Sequence, residues 1–338
     1  MTLIRGTLNS DEPLPVSPDQ VTVEWCSKAL GFAVKEFTTI ETIHGTASKI
    51  LIGLKTSSSN GGTADPKPDQ ICVKGGFDPA IIAIYPGLNA IYRREAEFYY
   101  YIAPLVAMRL PKAWLHLRDP LEPWPVSRVR AGVEQLAALH AATWSKTAQD
   151  FPWLASGSAL PAVILALLEP EAWARRYAEG ERPPVPDEML DRERMRQAFQ
   201  KLWSVTDPRY NCLVHGDAHI GNTYITAAGE PGFIDWQGLA VGSAFDDVPY
   251  FITGALTVQD RREHEVGLVE HYLDSLAALG GPRLRREEVW DEYRRHMMHG
   301  FVWALTDPHM QPKDVIFAMV ERYTAAMVDH GTLALLGC

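Results

Sequence analysis

One short stretch constrains this chain more than any other: Leu213 to Ile225, LVHGDAHIGNTYI. Two apolar runs, which read as short strands, bracket a segment carrying His215, Asp217, His219 and Asn222. Buried polar groups are costly unless they are paired. So dense a cluster is either a bonded structural corner or a site. A further acidic residue follows: Asp235, in GFIDWQG, ends the second arm of a strand pair that turns at Gly229. Asp217 and Asn222 then share one tight loop, and Asp235 returns on the neighbouring strand of a hairpin.

The chain has 338 residues, enough for one large domain or two moderate ones with an ample core. Its 46% hydrophobic and 22% charged residues are ordinary for a globular protein. A net charge of −10 disfavours nucleic acid or an anionic membrane as the main partner, since both need clustered cations. It leaves room for a nucleotide, because a few lysines and backbone N–H groups hold phosphates locally. Cys26, Cys72, Cys212 and Cys338 form no CxxC pair, so they read as thiols in a reducing compartment. The longest apolar run, AVILALLEP, stops at Glu169-Pro170, too short to span a membrane. The N-terminus has no basic-then-apolar signal design. A soluble, cytoplasmic protein is expected, monomeric or homodimeric.

After a loose leader, Ser17-Pro18 with Gln20 predicts a helix start, with Val21, Trp25 and Leu30 on one face. KEFTTIETI, SKILIGLK and ICVKGG are strand-like, the last carrying Lys74. TSSSNGGTADPKPDQ reads as a long turn between the second and third. AIYRREAEFYYYIAP is helical to Pro104, and SRVRAGVEQLAALHAATW sets Val129, Val133, Leu136, Leu139 and His140 near helical spacing. Helical patterns dominate from Asp260 to the end. The expected fold class is α+β: a small antiparallel-sheet lobe over residues 1–118 and a larger helical lobe over 119–338.

The residue types of the loop suit phosphoryl transfer, which needs positioning and charge neutralisation more than covalent help. His215-x-Asp217-x-x-x-x-Asn222 has the spacing of a kinase catalytic loop, and Asp235 stands where kinases place a metal-binding Asp. Asp217 can accept the proton of a substrate hydroxyl. Asn222 offers an amide oxygen and Asp235 a carboxylate, the hard ligands that magnesium takes.

HGDAHIGN and FIDWQ, with LAALHAATW upstream and GSAFDDVPYF downstream, resemble the aminoglycoside phosphotransferase-like superfamily of small-molecule kinases. That superfamily includes choline kinase-like and ecdysteroid kinase-like proteins. The resemblance runs roughly from Ser17 to Tyr323. It implies a protein kinase-like bilobal fold with ATP in the cleft and a small-molecule hydroxyl as phosphate acceptor. It implies Asp217 as catalytic base, Asn222 and Asp235 as magnesium ligands, and His215 and His219 as supports of the loop. Lys74 then matches the lysine that contacts the α- and β-phosphates, and Glu95, rather than Glu97, its ion-pair partner. Gly45, Thr46 and Ser48 in HGTAS take the place of the phosphate-covering loop. Asp247 matches an Asp that anchors the catalytic loop. One departure is the hinge: LPKAWLHLRDPLEPWP is short where the family binds the adenine edge.

His140 reads as a helix-core residue. His296 and His299 read as core or as lining of the acceptor pocket with Trp303, for want of metal-spaced carboxylate or thiol partners. HEVGLVEH is not HExxH. A catalytically silent, nucleotide- or partner-binding relative is the alternative reading. A metal phosphoesterase ranks lower, because the only D-x-H is Asp217-Ala218-His219 itself.

Overall fold

A computed structural model describes residues 14–43, 47–56, 67–77, 88–111, 121–154, 160–178, 182–226, 228–308 and 311–338. The chain divides into two compact units, one within Met1–Ala96 and Pro111–Leu115, the other within Glu97–Leu110 and His116–Cys338. Residues 97–110, expected in the N-terminal lobe, group with the helical unit instead.

In the first unit, Pro18 opens only a 3-10 turn, Pro18–Gln20, in which Ser17 caps nothing. The Gln20 amide oxygen accepts instead from the N–H of Val16, at 2.9 Å. Helix α1, Val23–Leu30, starts later, at Thr22, whose hydroxyl accepts from the N–H of Trp25 at 3.1 Å. Three antiparallel strands follow in the order β1 (Val34–Ile43), β2 (Ser48–Thr56), β3 (Gln70–Gly75). Alternation decides their faces. Ile50, Ile52 and Leu54 of β2 pack with Ile71 and Val73 of β3, Val34, Phe77 and the α1 residues into one apolar core. The alternate β3 residues, Cys72 and Lys74, fall on the opposite face. Helix α2, Leu88–Glu97, carries Glu95.

In the second unit, a π-helical turn covers Phe98–Ile102. The long helices are α3 (Val126–Thr143), α4 (Arg192–Val205), α5 (Ala244–Ala255), α6 (Val258–Ala278), α7 (Arg286–His296) and α8 (Lys313–His330). Val129, Val133, Leu136 and His140 of α3 are buried together, as their spacing predicts. Two small ladders hold the loops of interest: β4 (Asn211–Val214) with β7 (Ala240–Ser243), and β5 (Thr223–Ile225) with β6 (Pro231–Phe233). Val214 pairs with Ala240 and Thr223 with Phe233. Residues 215–222 and 234–239 therefore leave one ladder from paired positions and enter the other at paired positions. That register forces the two loops to run side by side. No helix among the described residues is long and apolar enough to cross a membrane.

Candidate active site

Asp247 holds the start of the 215–222 loop. It lies in the first turn of α5 and is 1% exposed. Its carboxylate accepts from the N–H of His215 at 2.6 Å and of Gly216 at 2.9 Å. Bonds to an ionised acceptor are about twice as strong as neutral ones. The same carboxylate lies 3.2 Å from His140 Nε2, and His140 Nδ1 lies 2.8 Å from the Tyr272 hydroxyl. His140 is thus a core residue that also orients the anchor of the loop.

Gly216 has φ +78°, and a Cβ there would stand 2.2 Å from the carbonyl oxygen of Gly238. The two neighbouring loops touch backbone to backbone at this point, which only glycine permits. His215 stitches them further. Its Nε2–H donates to the carbonyl of Ile234 at 2.9 Å, and its Nδ1 accepts from the N–H of Asp217 at 3.3 Å. The N–H of Ile234 donates to the carbonyl of Asn222 at 3.0 Å. Ile234 is therefore bonded on both sides, and Asp235 follows it at φ +65°, an uncommon conformation for a non-glycine residue. Trp236, next in line, is fully buried and stacks on Phe98 with ring centres 3.6 Å apart.

The Asn222 amide nitrogen donates to both the backbone carbonyl and the carboxylate Oδ2 of Asp217, each at 3.0 Å. Both of its hydrogens are used, so its oxygen is the atom it has to offer a cation. That oxygen and the Asp235 carboxylate are a hard-oxygen pair of the kind magnesium accepts alongside phosphate and water. No group of three or more His, Cys, Asp or Glu side chains placed to hold a metal occurs among the described residues.

Asp217 itself has a half-exposed side chain. The protein packed around its inner side pushes the carboxyl pKa up; the neighbouring His219, then His215 and His299, more than reverse that and hold it at about 2. His219 Nδ1 accepts from the N–H of Gly221 at 3.1 Å, leaving Nε2 directed at Asp217, 3.7 Å away. The Tyr250 hydroxyl, three residues along α5 from Asp247, donates to Asp217 Oδ1 at 3.3 Å. Nothing in the spacing of GSAFDDVPYF singles out Tyr250. Its only sequence signal is the i, i+3 relation to Asp247, which puts both on one helix face.

His296 is sandwiched between Asp246, at 2.9 Å, and Glu292, at 3.0 Å. Burial alone would lower its pKa, but the two carboxylates raise it to about 9. Burial lowers that of His299, whose ring stands edge-on to Tyr250 with centres 4.8 Å apart. Both histidines and Trp303 are at most 8% exposed, so they are core residues.

In the first unit, Lys74 Nζ lies 2.5 Å from Glu95 Oε2, with both side chains largely covered. The choice of Glu95 over Glu97 matches this pairing. Ser48 is the first residue of β2, opposite Gly75 and buried, so it belongs to the strand rather than to a loop. Gly45 and Thr46 lie outside the described residues, as does most of the expected hinge.

The model of the ecdysteroid kinase-like family matches residues 179–280, which include Asp217, Asn222, Asp235 and Asp247. Among solved structures, a choline kinase from Cryptosporidium parvum is similar with TM-score 0.53 at 11% identity, over 88% of each chain. A choline kinase from Streptococcus pneumoniae gives 0.51 at 13% identity, over 92% of this chain and 99% of that one. A Plasmodium vivax ethanolamine kinase gives 0.50 at 12%, over 90% and 85%. The chain has the fold of the kinase-like small-molecule kinase superfamily. No curated protein matches the sequence. The loop 215–222 and the turn at Asp235 both lie within the residues that the family model matches. The Lys74–Glu95 pair lies outside that segment, in the strand-rich unit.

Proposed function

We propose that the protein is an ATP- and magnesium-dependent phosphotransferase that moves the γ-phosphoryl group of ATP to a hydroxyl of a small molecule. The observation that carries the reading is the bonding of Asp217. Asn222 and Tyr250 hold its two carboxylate oxygens, while the loop backbone beneath it is held by Asp247.

Asn222 Oδ1 and Asp235 would hold magnesium, which when bound neutralises phosphate charge. Lys74, kept in place by Glu95, would hold the α- and β-phosphates. Gly45 and Thr46 would belong to the phosphate-covering segment, which Ser48 follows as the first residue of β2. Asp217 accepts the hydrogen bond of the acceptor hydroxyl and aims its oxygen at the γ-phosphorus. As the new O–P bond forms, the bond to the ADP oxygen breaks and the hydroxyl proton passes to Asp217. A carboxylate with a pKa of about 2 is a weak base at neutral pH. Its proton therefore moves late, once the hydroxyl has become acidic through bonding to phosphorus, and orientation is its larger contribution.

The test is Asp217→Asn. The variant is expected to bind MgATP as the wild type does and to lose transfer from γ-labelled ATP to a panel of hydroxylated small molecules by about a hundredfold or more. Wild-type turnover in that variant would overturn the assignment.

A further inference from the structure

We propose that Tyr250, braced by Trp303, is a positioning residue that fixes the orientation of the Asp217 carboxylate for transfer. The proposal rests on the phosphotransferase reading and extends it to residues outside the loop.

The direction of the hydrogen bonds carries it. An indole N–H can only donate. Trp303 Nε1 lies 2.8 Å from the Tyr250 hydroxyl oxygen, so that oxygen is the acceptor. The tyrosine's own proton is thereby left for its other partner, Asp217 Oδ1, at 3.3 Å. The chain Trp303→Tyr250→Asp217 thus has one polarity. At the other carboxylate oxygen, Oδ2, stands the Asn222 amide. Two donors on the two oxygens define the plane of the group, where one alone would let it rotate about its Cβ–Cγ bond.

The tyrosine ring is held from several sides. Tyr323 stacks on it with centres 5.1 Å apart, and the Tyr323 hydroxyl donates to the Tyr250 carbonyl at 2.7 Å. Two glycines make room for Tyr323: a Cβ at Gly254 would stand 2.4 Å from its hydroxyl oxygen, and one at Gly300 only 2.1 Å from its ring. His299 meets the Tyr250 ring edge-on. The backbone of Tyr250 rides on the same helix face as Asp247. One element therefore governs both the loop backbone, through Asp247, and the reactive side chain, through Tyr250.

The experiment pairs crystal structures of the wild type and Tyr250→Phe with steady-state turnover of MgATP, using water as the acceptor. Phenylalanine keeps the stack and removes the hydroxyl. The expected result is a turned Asp217 carboxylate above an unmoved His215–Gly216 backbone. With it, kcat should fall about tenfold or more while KM for ATP stays unchanged, the loss that follows from deleting a bond to a charged group. Trp303→Phe, which removes the brace alone, should move both readouts the same way by less, and it serves should Tyr250→Phe fail to fold. An Asp217 carboxylate that keeps its orientation in Tyr250→Phe, or a kcat within twofold of wild type while Asp217→Asn is impaired, overturns the proposal. If Asp217→Asn turns over like the wild type, the phosphotransferase reading fails instead, and the orientation of Asp217 in the crystals still decides the role of Tyr250.

Discussion

Asp217 works through what surrounds it, and the same holds for the glycine before it. Gly216 is at φ +78° with the Gly238 carbonyl where a side chain would begin. Gly216→Ala meets both the left-handed backbone penalty and a collision with backbone that cannot swing away. We expect a loss of about 2 kcal/mol or more in stability by urea denaturation, with the loops forced apart. Unchanged stability would mean that they do not touch as described. His296 acts through its charge. Its pKa is raised from about 6.5 in the unfolded chain to about 9 by Asp246 and Glu292. A group raised on folding contributes stability that is complete below the unfolded value and is lost as pH rises through the folded one. Between pH 6.5 and 9 the protein should lose up to about 3 kcal/mol, and His296→Gln should flatten that slope. A wild-type slope equal to that of the variant would contradict the pairing. The HGDAHIGN residues are legible in sequence because their spacing repeats a known constellation. The partner that bonds Asp217 from outside the loop, Tyr250, is not. Aromatic and histidine residues in apolar helices look alike whether they fill space or hold a bond.

Among the helices, α5 is the one on which the loop depends. Its first turn supplies Asp247, and Pro249 within it removes one backbone donor without ending the helix. Asp247→Ala would leave the N–H groups of His215 and Gly216 without their acceptor and His140 with only its Tyr272 partner. An uncompensated buried donor costs about 1–3 kcal/mol. We expect a loss of about 3 kcal/mol or more in urea denaturation, shared across these groups, with transfer lost even where the fold survives. A loss below about 1 kcal/mol would show that the loop stands by itself. The three strands of the first unit are readable from their β-branched runs, although their burial does not alternate: Ile50, Leu51 and Ile52 of β2 are all buried. The start of α1 is not. Ser17-Pro18 and Thr22 are both capping signals within six residues; both have extended backbone, and only the Thr22 hydroxyl accepts a cap bond, from the N–H of Trp25. The π-helical turn at Phe98–Ile102 has no sequence signature either. It buries Phe98, which stacks on Trp236, a contact across a large separation in the chain.

For the protein taken entire, the two units carry different halves of one proposed reaction. The first holds a lysine against a glutamate on the outer face of its sheet; the second holds the loop, the proposed cation ligands and the proton acceptor. Lys74→Met removes a charge without large change of size and should weaken nucleotide binding while leaving the fold of the second unit intact. Equal affinity in that variant would separate Lys74 from the phosphates. The order of motifs along the chain makes the fold class legible, because strand-rich and helix-rich stretches are well segregated. The acceptor leaves no such trace, since the Asn222 amide, Tyr250 and His219 around Asp217 recognise no single chemistry. The most direct measurement is calorimetric titration of ATP with and without magnesium, comparing wild type with Asp235→Ala. Binding should depend on magnesium, and Asp235→Ala should weaken it by about tenfold or more, the scale of loss seen when a supporting group of a metal site is removed. Absence of ATP binding, or binding that neither magnesium nor Asp235→Ala alters, would contradict the phosphotransferase assignment.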